Sequence, residues 1–202
     1  MIWWDSTQLS GQLDPEAYRD VLRAYQQTCA EVIQRFDGYI AQHLGDALLV
    51  YFGFPTAHED DAQRAIHTGL GMLEAMQSLN ESLERDPGIR LAIRVGLHTG
   101  LTVIGEVGSG QKHEVLALGE APNVAARIQG LAAPDTVAMS AATYRRVEGY
   151  FDCDDLGAHV LKGVAEPVPP RFSHGRAVPR PSHRETRESS ASPLLCHMSR
   201  PR

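Results

Sequence analysis

Apolar residues recur at steps of three and four from Tyr18 through Leu22, Tyr25, Cys29, Val32 and Ile33 to Phe36, the spacing of one buried helical face. Asp14-Pro15-Glu16 supplies the start of that helix: an N-cap acid, a proline in the first turn, and an acid near the positive end of the dipole. Asp37-Gly38 ends it. Residues 39–43 and 47–52 flank Gly45-Asp46 and read as a hairpin, closed by Gly53-Phe54-Pro55. A second long helix begins near Glu59-Asp60-Asp61. It carries Ala62, Ile66, Leu70, Leu73, Met76, Leu79 and Leu83 on one face and stops at Asp86-Pro87-Gly88.

Beyond that helix the period shortens to two. Leu91, Ile93 and Val95 alternate with Ala92 and Arg94 as a strand, 101–107 gives another, and 115–118 follows after a polar loop. A helix is expected over 122–131, then a short strand over 136–139 and a short helix capped by Ser140. Residues 150–162 have room for two more short strands, and no internal repeat is visible. Long helices interleaved with hairpins predict an α+β sandwich, helices against a largely antiparallel sheet.

Composition narrows the function classes. A chain of 202 residues holds one domain with a sizeable core plus appendages. No run is long and apolar enough to span a bilayer and none resembles a signal peptide, so the expectation is a cytoplasmic protein without a membrane partner. Cys29, Cys153 and Cys196 are odd in number and widely spaced, which suggests neither a disulfide framework nor a zinc site. Net charge is -6, but the seven Arg and two Glu from Arg171 onward make that segment +5 and leave -11 on the rest. An acidic body does not suggest a nucleic-acid binder. The expected organisation is a domain over 1–170 and a disordered, basic, Pro/Ser/Arg-rich tail over 171–202.

Three places carry candidate chemistry. Asp46 projects a carboxylate from a tight turn that opens into an apolar strand; Gly-Asp is also a common turn dipeptide with no further role. Asn123 and Arg127 stand four residues apart on one helical face, where an amide and a guanidinium can converge on a phosphate, or simply be solvated. Lys162, beside Gly163, is either a point charge for a phosphate or an ordinary exposed lysine. The acids after His58 read as helix capping rather than as a metal site.

Longer strings around these residues are more specific. Leu44-Gly45-Asp46-Ala47-Leu48-Leu49-Val50-Tyr51-Phe52-Gly53, Gly119-Glu120-Ala121-Pro122-Asn123-Val124-Ala125-Ala126-Arg127 and Leu161-Lys162-Gly163 together resemble the catalytic domain of class III nucleotidyl cyclases, from about Ser6 to Val168. The resemblance implies a ferredoxin-like core and a homodimer in which the metal carboxylates come from one subunit and the Asn/Arg pair from the other. It also implies conversion of ATP, or GTP, to a cyclic nucleotide and pyrophosphate in intracellular signalling, with Mg²⁺ or Mn²⁺ as cofactor. By the same resemblance Asp46 binds metal, Asn123 and Arg127 stabilise the transition state, and Lys162 contacts the triphosphate. The base-selecting positions are Gln42 and Leu116, where the family has Lys and Asp or Thr.

One departure bears on activity. The family's first strand reads like Phe-x-Asp-Leu-Val-Gly-Ser-Thr, and Ser6-Thr7 match its end. Counting back, the first metal aspartate falls at Ile2. Asp5, three residues later, is a candidate substitute, though even a one-residue slip turns a strand side chain to the other face. The resemblance thus implies an incomplete first strand, an exposed gap in the middle of the sheet and impaired turnover. The alternative is a non-catalytic cyclase-like module that dimerises or binds nucleotide to regulate a partner.

Overall fold

The computed structural model describes residues 2–4, 13–83, 90–107, 114–155 and 170–173. In chain order these form β1 (Ile2–Trp4), α1 (Pro15–Arg35), β2 (Tyr39–Leu44), β3 (Ala47–Tyr51), α2 (Asp61–Leu83) and β4 (Ala92–Leu97). They continue with β5 (Val103–Val107), β6 (Glu114–Leu118), α3 (Ala121–Leu131), β7 (Thr136–Ser140), α4 (Ala141–Val147), β8 (Asp154–Asp155) and β9 (Pro170–Ser173). Asp14 caps α1 as expected, accepting the N–H groups of Glu16 and Ala17 at 3.0 Å.

Seven strands make one sheet in the order β2-β3-β1-β4-β7-β9-β8, antiparallel except for the β4–β7 pair. The first six elements follow a β-α-β-β-α-β course with strand order β2-β3-β1-β4, which is the ferredoxin-like arrangement. The α+β class is therefore as the helical and alternating patterns predict. β5 and β6 stand apart as a two-stranded ribbon.

The middle of the sheet is filled only in part, because β1 reaches β3 through Ile2 alone, opposite Ala47. β1 is only three residues long, yet Ile2 pairs with Ala47 on one side, while Ile2, Trp3 and Trp4 pair with Arg94, Ile93 and Ala92 on the other. Ladder hydrogen bonds come from the backbone, so a strand of any side-chain identity fills that position. At the other end, β9 pairs with β7 and β8, so the sheet takes in residues 171–173 of the segment read as tail. Within 150–162, the described part contributes β8 and a Glu148–Phe151 bridge.

α1 and α2 cover one face of the sheet. Tyr25, Cys29 and Ile33 of α1 and Met72 and Met76 of α2 bury against Leu48, Ile93, Val95 and Val137. α3 covers the other face, and one glycine sets its depth. A Cβ on Gly96 of β4 would stand 2.3 Å from the Ala125 carbonyl oxygen and 2.5 Å from the Gln129 backbone nitrogen. With only hydrogen there, α3 rests directly on the strand.

Candidate active site

The β2–β3 hairpin turns through Gly45 and Asp46, between the paired residues Leu44 and Ala47. Gly45 takes φ +65, the left-handed conformation that glycine adopts without a Cβ penalty and that a two-residue hairpin needs at its first position. The tip is tied to the core. The Tyr25 hydroxyl donates to the Asp46 carbonyl oxygen at 3.1 Å, and the Gln26 side-chain amide donates to the Gly45 carbonyl oxygen at 3.4 Å. Tyr25 is fully buried. Burial, helped by Cys29 and the Asp46 charge, holds its phenol far above the ordinary tyrosine range, so it keeps the proton it donates. Burial likewise pushes the Cys29 thiol up to about 12. The carboxylate of half-buried Asp46 thus leaves a turn whose backbone is clamped from below. Tyr25→Phe removes that clamp and leaves a carbonyl to find water. We expect a loss of roughly 0.5–1.5 kcal/mol in urea denaturation.

Asn123 and Arg127 sit one turn apart on α3. Val124 and Ile128 are the buried side of that helix, while Asn123 is exposed and Arg127 half-buried. Among the described residues neither Asn123 nor Arg127 makes a hydrogen bond or ion pair, so both polar heads are open to a ligand or to another chain. α3 packs on β4 and β7, and β1 lies between β4 and the β3 end of the hairpin. Within one chain, no hydrogen bond or ion pair brings Asp46 together with Asn123 or Arg127 among the described residues.

The other expected site residues are distributed as follows. Gln42 is half-buried at an irregularity of the β2–β3 ladder, paired with Leu49. Leu116 lies on β6 opposite Gly105. β6 packs against β2, so the strands bearing Gln42 and Leu116 adjoin. Lys162 and Asp5 lie outside the described residues. Asp61 is the first residue of α2, and its carboxylate accepts the His58 N–H of the preceding loop at 2.9 Å.

The donor set can be compared with what a divalent ion requires. Among the described residues no group of three or more His, Cys, Asp or Glu could hold a metal ion. Asp46 is the one expected metal ligand among the described residues, Asp5 lying outside them, and the β1 register sets Ile2, the position counted for the first metal aspartate, across from Ala47 at the hairpin's edge. A single carboxylate fits one Mg²⁺ or Mn²⁺ that arrives with nucleotide phosphates. Two ions held by protein carboxylates need a second carboxylate, which Ile2 does not supply.

Sequence patterns do not single out Tyr25, Gln26 or Gly96 as functional. Tyr25 reads as one more core position of α1, because its partner is twenty-one residues away on a hairpin tip. A glycine inside an alternating strand is the one local signal that points to Gly96.

Comparison with known proteins places this geometry. The chain is 32% identical over 129 residues to adenylate cyclase 1 of Rhizobium meliloti (strain 1021), covering 63% of this chain and 19% of that protein. It is 33% identical over 141 residues to the cytidylate cyclase of Escherichia coli, covering 66% of this chain and 31% of that protein. The chain thus spans less than a third of these curated relatives. Among solved structures, the adenylyl cyclase CyaB from P. aeruginosa superposes with a TM-score of 0.83 at 26% identity, covering 87% of this chain and 91% of that one. The guanylyl cyclase Cya2 gives 0.78 at 30% identity, with 84% and 86% covered. The adenylate and guanylate cyclase catalytic domain matches residues 4–171, and the chain belongs to that family.

Proposed function

We propose that the chain cyclises a nucleoside triphosphate, ATP before GTP, in the cytoplasm, through sites shared by two copies. The ribose 3′-oxygen attacks the α-phosphate, the bond to the bridging oxygen of the β-phosphate breaks, pyrophosphate leaves, and the 3′-hydroxyl proton is lost. The observation that carries this reading is the open Asn123/Arg127 pair on α3. The Arg127 guanidinium neutralises charge growing on the α-phosphate, and Asn123 orients the ribose. Asp46 holds a divalent ion with the triphosphate, and that ion, when bound, neutralises phosphate charge. Lys162 adds a positive charge for the triphosphate, and Gln42 and Leu116 flank the base.

Two features support a homodimer. Among the described residues no hydrogen bond or ion pair links Asp46 to the Asn123/Arg127 pair within one chain, which leaves a second copy to complete each site. The β5–β6 ribbon is outside the main sheet, and a lone two-stranded ribbon is marginal in water. On and beside it, Leu101 is 96% and Val103 64% exposed, apolar surface that a partner copy would cover.

Turnover is expected to be low, because the described site offers one carboxylate. The same observation favours the second reading, a regulatory cyclase-like module. Production of cyclic AMP and cyclic GMP by the purified chain, with ATP or GTP and Mg²⁺ or Mn²⁺, separates the two. Activity that disappears in Asp46→Ala supports the enzyme; no product from a folded dimer supports the module. Ile2→Asp, which returns a carboxylate to the strand beside the hairpin, should raise turnover by about tenfold or more, some 1.4 kcal/mol of barrier. An unchanged rate would mean that another group already fills that role.

A further inference from the structure

A line of polar side chains crosses the molecule where β4 and β7 end side by side. Leu97 pairs with Met139 at the end of the parallel register, so His98 leaves the sheet beside Ser140. His98 Nδ1 is 2.9 Å from Ser140 Oγ, Ser140 Oγ is 3.2 Å from Thr143 Oγ1, and Thr143 Oγ1 is 3.0 Å from Thr99 Oγ1. Ser140 Oγ also accepts the Thr143 N–H at 3.3 Å, capping α4. Ser140 and Thr143 are buried, so each of these groups needs its partner.

Gly100 adjoins both the His98 ring and the start of α3. A Cβ on Gly100 would stand 2.8 Å from His98 Nε2 and 3.4 Å from the Cβ of Ala121, the first residue of α3. The ring thus reaches the helix start through Gly100. Asn123 and Arg127 lie on the same helix, in its first two turns.

We propose that His98 is a positioning residue, which through Gly100 ties the start of α3 to the buried cap of α4 and so holds Asn123 and Arg127 in place. The catalytic consequence rests on the cyclase reading of those two residues; the tie itself does not. One proton arrangement satisfies the line with a neutral ring. Ser140 donates to His98 Nδ1, Thr143 donates to Ser140, and Thr99 donates to Thr143. In that tautomer, with the neutral ring's proton on Nε2, protonating the ring turns Nδ1 into a donor and reverses every hydroxyl along the line. The groups facing the ring are Ser140 at the end of β7, Thr143 of α4 through Ser140, Gly100, and Ala121 of α3 behind it. Among the described residues no charged side chain bonds to the ring. Burial holds the His98 pKa below its ordinary value of 6.5. A histidine depressed in the folded state stabilises that state above its unfolded value, and the benefit disappears as pH falls through the lower folded value.

The test is amide hydrogen exchange on the full chain, beside steady-state kinetics. His98→Ala should lower the protection factors of 121–127 about tenfold while those of α1 stay within about twofold. It should cut kcat about tenfold with KM within twofold, and add little in an Arg127→Ala background, because both changes remove one placed guanidinium. His98→Asn keeps an amide near the Nδ1 position without a titrating ring. Its protection at 121–127 should not change between about pH 8 and pH 5.5, whereas that of the wild type should fall. If His98→Ala fails to fold, His98→Asn carries the same comparison. Unchanged protection at 121–127 in the variant overturns the tie. Lowered protection with an unchanged kcat overturns the positioning role. A wild-type chain that cyclises no nucleotide defeats the cyclase reading instead, and the exchange data then decide the tie alone.

Discussion

Arg127→Ala should lower kcat for nucleotide cyclisation by roughly 10²–10³-fold, the range seen when one preorganised charge-stabilising group is removed from a transition state. The guanidinium has no competing ion pair among the described residues, and the charge it meets develops on the α-phosphate only as the 3′-oxygen bonds. KM should therefore move little, and the loss should fall on kcat and kcat/KM together. Asp46→Ala should also abolish activity, but on the other half of the proposed composite site. Mixing the two inactive variants separates a shared site from a self-contained one. Random pairing of equal amounts makes half of the dimers mixed, and each mixed dimer has one site with both halves intact. About one quarter of wild-type activity should return on mixing. No recovery from chains shown to exchange subunits would place Asp46 and Arg127 in one and the same chain's site.

Much of the fold is legible in the sequence because it rests on local patterns. The α1 stripe from Tyr18 to Phe36 and its Asp14-Pro15 start are periodicity and capping, and both appear in the structure. The Gly45-Asp46 turn is likewise local. Which strands pair is not. β5 reads as a strand as β4 does, yet β5 leaves the main sheet for a ribbon with β6 and β4 lies at its centre. Period two reports that one face is buried, not which neighbour supplies the ladder. The three residues of β1 are too few to show any period, and their place between β3 and β4 is set by the backbone they offer.

The site divides in the same way. Asp46, Asn123 and Arg127 stand in distinctive strings, so the amino-acid order alone is enough to propose them. What holds them in place is not legible there, because each support comes from a distant element: Tyr25 under the hairpin tip, Gly96 under α3, Ser140 beside His98. A residue that acts through its partner carries no signature until the fold has brought the two together. Ile2 is the converse case. Its significance is a matter of counting along the chain, and the register across from Ala47 gives that count a place at the hairpin's edge.

Gly96→Ala should be the most damaging single-methyl change in this chain that touches no ligand. The added Cβ would fall 2.3 Å from Ala125 O and 2.5 Å from Gln129 N, the acceptor and donor of one helical i→i+4 pair. Neither atom belongs to a side chain that can rotate away, so the helix must lift from β4 or the strand must bend. Overpacking of this kind costs about 1–3 kcal/mol. For a chain of this length the melting temperature should drop by about 3–10 °C. Asn123 and Arg127 ride on the displaced helix, and a shift of about 1 Å in a positioned group can cost 10²-fold in rate. The expected result is a folded, less stable chain with kcat down by about two orders of magnitude. Gly130→Ala is the matched control, since nothing lies within 4 Å of a Cβ there. It lies near the end of the same helix and should leave kcat unchanged while raising stability by up to about 1 kcal/mol. If Gly96→Ala instead melts and turns over like the wild type, α3 does not rest on β4 at this depth. If it loses stability but keeps its rate, the placement of Asn123 and Arg127 is not what limits the reaction.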